Sequence, residues 1–154
     1  MKTTLRIFAI ALLLFLGFGG IFGAWMLITD PSGGKFEWSL DLLIGTPFNS
    51  FLLPGIILMI ANGILPLYIT VSILQKKKYA NWLILFQGMV VLGWLTAQLI
   101  FNPDFFVPEI HLTTYGVGLL LGIIGWGLHR LSSREHKVLH LKSPLKSPWW
   151  VIFF

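Results

Sequence analysis

Glu37, Asp41 and His111 are the side chains outside the apolar stretches whose types suggest chemistry. Two carboxylates four residues apart, joined by an imidazole, can hold a divalent cation or work as an acid/base pair. Their spacing matches no recognised metal motif, and acids in connecting loops commonly form a solvated face. The chain contains no cysteine, which excludes a disulfide framework, thiolate nucleophiles and Cys-ligated clusters. His129 precedes Arg130, and His136 and His140 lie in a basic tail. The first three apolar stretches hold no histidine to face them, so no paired haem or pigment ligation is expected. No cofactor and no metal are expected, and no catalytic motif stands out.

The amides are more informative. Asn62 lies four residues before Pro66, near the middle of an apolar stretch. A proline there removes a backbone donor and kinks a helix. Gln87, Val91, Trp94 and Gln98 recur along one face of the next stretch. An uncharged amide in lipid needs a partner, so that face is predicted to point inward. By residue count Asn62 and Gln87 differ in depth by about 6 Å, within reach of a hydrogen bond between helices. Asp, Glu, Lys, Arg and His are missing at midplane depth, which weighs against a proton-coupled pump.

These residues need four elements to position them. Apolar stretches run over 5–29, 51–75, 80–101 and 112–131, each about 20–25 residues and able to cross a hydrocarbon core of roughly 30 Å. Of the 11 basic residues, 10 fall in the N-terminus, the middle connection and the C-terminus, with Lys35 the exception. Five of the six acids fall on the opposite side. The positive-inside rule therefore places both termini in the cytoplasm. The first stretch is too long for a secretory leader and has no clean cleavage site, so it reads as a retained helix. The expected fold is an all-α bundle of four transmembrane helices, N-in and C-in. Residues 1–131 form the membrane domain and 132–154 a basic, aromatic cytoplasmic tail.

Small residues suggest how the helices meet. Gly19 and Gly23 form one GxxxG pair. Gly118 and Gly122 form another, continued by Gly125. Such pairs let backbones approach closely in lipid. Within the first outer connection, residues 36–44 have the apolar spacing of a short amphipathic helix lying on the membrane surface. Lys76, Lys77 and Lys78 suit anionic headgroups, and Trp149 and Trp150 suit an interfacial anchor. Topology accounts for the net charge of +5, so no nucleic-acid partner is expected.

The turn Asp30-Pro31-Ser32-Gly33 and the run Gly45-Thr46-Pro47-Phe48-x-x-Phe51-Leu52-x-Pro54-Gly55 resemble a widespread group of uncharacterised bacterial four-helix membrane proteins. Gly93-Trp94 and Gln98 fit as well, whereas Phe51 stands where that group is expected to have tyrosine. The resemblance implies a bacterial cytoplasmic-membrane protein and implies no activity. The expected function is non-catalytic: an accessory or assembly subunit of a larger membrane complex, or a homo-oligomer, with membrane lipids and another membrane protein as partners. The alternatives are a small permease or channel for a neutral solute and, more weakly, an outward-facing membrane enzyme or metal site.

Overall fold

The computed structural model describes residues 2–142, with side chains described to Arg134. Trp149 and Trp150, and with them the expected aromatic anchor, lie outside the described residues. The described chain is helical throughout its regular elements: α1 (Lys2–Thr29), α2 (Leu52–Leu74), α3 (Ala80–Phe101) and α4 (Pro108–Lys142). All four are long and apolar enough to cross a membrane, which makes this a multi-pass membrane architecture. The first three match the expected stretches to within three residues at each end. α4 begins earlier, at Pro108, where proline's fixed φ suits a first helical position. It also runs on to Lys142, past the expected end at residue 131.

The helices pair as two hairpins, α1 with α2 and α3 with α4. Glycines set the closest approach in each. A Cβ on Gly20 would lie 2.2 Å from the Asn62 carbonyl oxygen, and one on Gly125 would lie 2.4 Å from the Leu85 nitrogen. A Cβ on Gly88 would meet Gly118 and Gly122 backbone atoms at 2.7 Å. Gly118, Gly122 and Gly125 thus lie along the α3–α4 seam. The other expected pair is placed differently. Gly19 has no neighbouring atom within 4 Å, and Gly23 has only ordinary contact with Leu58. Within the chain, α1 meets α2 through Gly17 and Gly20 instead, on the adjacent stripe.

Two buried clusters result. The larger fills the half nearer the termini with Leu13, Ile69, Ile84 and Leu128 and continues along the α3–α4 seam through Leu121 to Leu95 and Val117. The smaller lies under the connections at the opposite end and consists of Leu27, Leu43 and Phe51, with Phe36, Trp38 and Phe105 against it.

Residues 36–44 do not form the continuous amphipathic helix expected of them. Two 3-10 turns, Gly34–Phe36 and Leu40–Leu43, stand in its place. Glu37 takes φ 58, a left-handed conformation that stops the first turn. Ser39 then caps the second, its hydroxyl accepting from the Asp41 N–H at 3.2 Å. The break turns Phe36 and Trp38 onto the bundle end rather than along a surface.

Gly20→Ala should lower stability by about 1–3 kcal/mol, because the colliding atom is backbone and cannot rotate away. Gly127→Ala, where nothing lies within 4 Å, should be neutral or slightly stabilising. Thermal unfolding of the two variants in one detergent checks the contrast.

Candidate functional site: an apolar cavity above a buried amide layer

The amide layer begins with a backbone defect. Pro66 cannot donate a hydrogen bond, and the turn before it, Met59–Ile64, widens into a π-helix. The Leu65 N–H reaches back five residues to the Ile60 carbonyl. The Ala61 carbonyl is left without a helical donor, since Leu65 is engaged and Pro66 has no N–H. Gln87 on α3 supplies the missing donor. Its Nε2 donates to the Ala61 carbonyl at 3.0 Å and approaches Asn62 Oδ1 at 3.4 Å. Gln87 is fully buried and Asn62 is 3% exposed. The amide pair expected from residue depth is therefore present, but its main bond goes to backbone.

This layer floors a cavity of about 440 Å³, walled by all four helices. The size is that of an ordinary small-molecule site. Leu16, Gly20 and Asn62 lie at its base. Gly19 and Gly23 line its α1 wall, where their missing side chains leave room. Trp94 and Gln98 line the α3 wall, and His111 and Thr114 the α4 wall. Phe15, Phe22 and Ile110 also line it and are themselves exposed, so the cavity opens at the flank between α1 and the α3–α4 hairpin. Beneath the amide layer the larger buried cluster closes the bundle.

The roof is aromatic. Trp38 stacks on Phe36 with centroids 4.5 Å apart, meets Phe105 edge-on at 4.9 Å and tilts against Phe51 at 5.7 Å. Two hydrogen bonds hold the connections that carry it. Phe51 N–H donates to the Pro31 carbonyl at 2.9 Å, and Asn102 Nδ2 donates to the Leu42 carbonyl at 3.1 Å. The second bond ties the two long connections together. Gly33, at φ 85, sits against Phe51 and the Trp38 carbonyl, where a Cβ would approach to 2.8 Å. Asp30 organises this turn: its carboxylate accepts from the Ser32 hydroxyl and from the N–H groups of Ser32 and Lys35. Those bonds, the Ser32 hydroxyl first, hold the Asp30 carboxyl below its usual range.

The remaining side chains singled out by sequence scatter. Glu37 and Asp41 are exposed, and the Ser39 hydroxyl donates to Asp41 Oδ2 at 2.8 Å. His111 is buried, at 2% exposure. The three do not converge, and among the described residues no cluster of three or more His, Asp or Glu is arranged to hold a metal ion. Lys76, Lys77 and Lys78 are exposed on the connection between α2 and α3. His129 lies against Trp82, with ring centroids 4.5 Å apart. Sequence reasoning missed the cavity and its lining by His111. The signal available was a glycine face on α1 with more small residues than one helix contact needs.

No protein family, curated protein or solved structure matches this chain in the comparisons made.

Two outcomes test the site's architecture. Gln87→Leu should cost roughly 1–2 kcal/mol by stranding the Ala61 carbonyl. In a Pro66→Ala background, where residue 66 regains a donor, the same change should cost markedly less; a double-mutant cycle measures the difference. The roof should also respond to acid. The Asp30 pKa is lowered on folding, so its stabilisation is present above the usual carboxylate value of 3.8 and fades as pH falls through the lowered one. The part of the tryptophan fluorescence that Trp38→Phe removes should therefore change at strongly acidic pH, and the change should be smaller in Asp30→Asn.

Proposed function

We propose that this chain is a non-catalytic integral membrane protein that binds an apolar molecule in the outward-facing half of its helical bundle. In this reading both termini are cytoplasmic, and the protein sits in a bacterial cytoplasmic membrane. The observation that carries the reading is the 440 Å³ cavity. Four features support it. The lining is mostly aliphatic and aromatic. The opening faces the flank that lipid would cover, which is the route an apolar ligand takes. The aromatic roof separates the cavity from the loop-end surface. The closed core beneath the amide layer makes it a blind site, which suits binding better than the neutral-solute permeation considered above.

The accessory-subunit or homo-oligomer reading has one observation of its own. Phe8, Phe15, Phe18, Phe22 and Trp25 form an exposed aromatic seam on α1, all more than half exposed. Their three-, four- and seven-residue spacing is that of a helix seam facing another helix. Binding and assembly are compatible, because Phe15 and Phe22 belong both to the seam and to the cavity mouth.

Filling the cavity separates ligand binding from mere packing. Gly19→Leu places a side chain where Gly19 has open space. It should raise the thermal midpoint by several degrees, since it fills a void and replaces glycine in a helix. Native mass spectrometry of the unmodified protein from gentle detergent should show a retained apolar molecule, and Gly19→Leu should release it. Equal ligand content in both proteins would overturn the binding reading. Native sizing of the same samples reports on the α1 seam.

A further inference from the structure

Lys35 is the exception to the charge sorting of this chain, one basic residue beside five acids at the end of the bundle opposite the termini. Its ammonium is not paired with any of them. Asp30 takes the Lys35 backbone N–H at 2.9 Å, and among the described residues the ammonium forms no ion pair. It lies instead over the Trp25 ring, 4.6 Å from the centroid, and donates to the Thr29 hydroxyl. That hydroxyl in turn donates to the Trp25 carbonyl at 2.7 Å. An ammonium has three donors, so two are left open. The one cation at this end is thus folded back onto α1.

That part of α1 is the rim of the cavity. Phe15 and Phe22 line its mouth, and Phe36, the residue after Lys35, lines its wall. Trp25 stands on the same exposed seam as Phe22, about 4.5 Å further along the helix. From Arg6 to Trp25 the helix rises about 28 Å, close to the roughly 30 Å of a hydrocarbon core. Trp25 therefore marks the far boundary of the hydrocarbon. The Lys35 ammonium, held at Trp25 and at Thr29 one turn beyond it, lies at headgroup level. The mouth lies below it, at the level of acyl chains.

Resting on the apolar-ligand reading above, we propose that the cavity takes one acyl chain of a membrane phospholipid, that the Lys35 ammonium holds the lipid's phosphate, and that the headgroup is zwitterionic. The chain enters at the flank beside Phe15 and Phe22, while the glycerol and phosphate stay at the rim. The phosphate accepts from the two open ammonium donors, a charge-assisted contact. The zwitterionic character follows from the charge at this end. Asp30, Glu37, Asp41, Asp104 and Glu109 outnumber the one lysine. A headgroup of net negative charge is repelled by that field, whereas an ammonium carried beside the phosphate offsets it.

The test titrates the full-length protein in detergent with four probes, read by native mass spectrometry: dipalmitoyl phosphatidylethanolamine, dipalmitoyl phosphatidylglycerol, dipalmitoylglycerol and glycerophosphoethanolamine. The ethanolamine lipid should bind roughly three- to fivefold more tightly than dipalmitoylglycerol, the worth of one solvent-exposed charge pair, and more tightly than the glycerol lipid. The headgroup without chains should not bind measurably. Lys35→Met should remove the advantage of the ethanolamine lipid and Lys35→Arg should keep it, with dipalmitoylglycerol affinity within about twofold in both. The comparison of probes on the unmodified protein stands even if the variants fold poorly. Equal binding of ethanolamine lipid and dipalmitoylglycerol would overturn the phosphate contact and leave the apolar-ligand reading intact. Tightest binding of the glycerol lipid would overturn the zwitterionic choice. Binding of the bare headgroup as tight as that of the whole lipid would overturn the acyl-chain assignment. Undiminished binding of the ethanolamine lipid to Gly19→Leu would overturn the cavity reading and this one with it.

Discussion

One backbone carbonyl governs the middle of this bundle. In water, the gap that Pro66 leaves in the hydrogen-bond ladder would be closed by solvent. In hydrocarbon there is none, and an unsatisfied carbonyl carries a penalty of several kcal/mol. The chain meets this by widening the turn into a π-helix and bringing Gln87 from α3 to the Ala61 carbonyl. That single donation ties the two hairpins together at mid-depth. It also fixes what each neighbour must be. The Asn62 carbonyl projects toward α1, so only glycine fits at position 20. Asn62 is buried beside Gln87, so the layer is polar within and apolar around its edge.

The cavity follows from the same layer. α1 is drawn onto α2 at Gly17 and Gly20, and α3 onto α4 at Gly88 and Gly125. The amide bridge holds the hairpins together where they cross it, and the larger buried cluster fills the space on the side of the termini. On the other side the facing positions of α1 are Gly19 and Gly23, which contribute no side chain. The Trp38 roof closes the end with rings rather than with a further helix turn. Space is thus left between a polar floor and an aromatic lid.

The spans were legible because apolar length and proline–glycine punctuation are local properties, and Ala80–Phe101 follows its sequence limits closely. The inward amide face was legible too, since Gln87 and Gln98, which share a face with Val91 and Trp94, carry amides that find no partner in lipid. The glycine pairs were ambiguous, because a small residue serves equally to admit a neighbouring backbone or to leave a void. Gly20 does the first and Gly19 the second, one residue apart, and only the position of Asn62 decides between them. The segment after Gly34 misled for another reason. Its helical period is real in sequence, but Glu37 adopts a left-handed turn that lets Phe36 and Trp38 stack over Phe51, and that long-range packing overrides the local pattern. His111 read as a loop imidazole until α4 was found to begin at Pro108, which buries it one turn in.

A void of this size is not neutral. Where it is left empty, the apolar walls forfeit the dispersion contacts that an occupant would make with them. Water does not relieve it, because an apolar cavity offers too few hydrogen-bond partners to hold ordered solvent. In the binding reading, the flank opening lets hydrocarbon enter from the membrane and restores those contacts. Any acyl chain satisfies the aliphatic and aromatic walls equally well. Apolar packing therefore favours an occupied cavity and by itself sets no preference among apolar occupants.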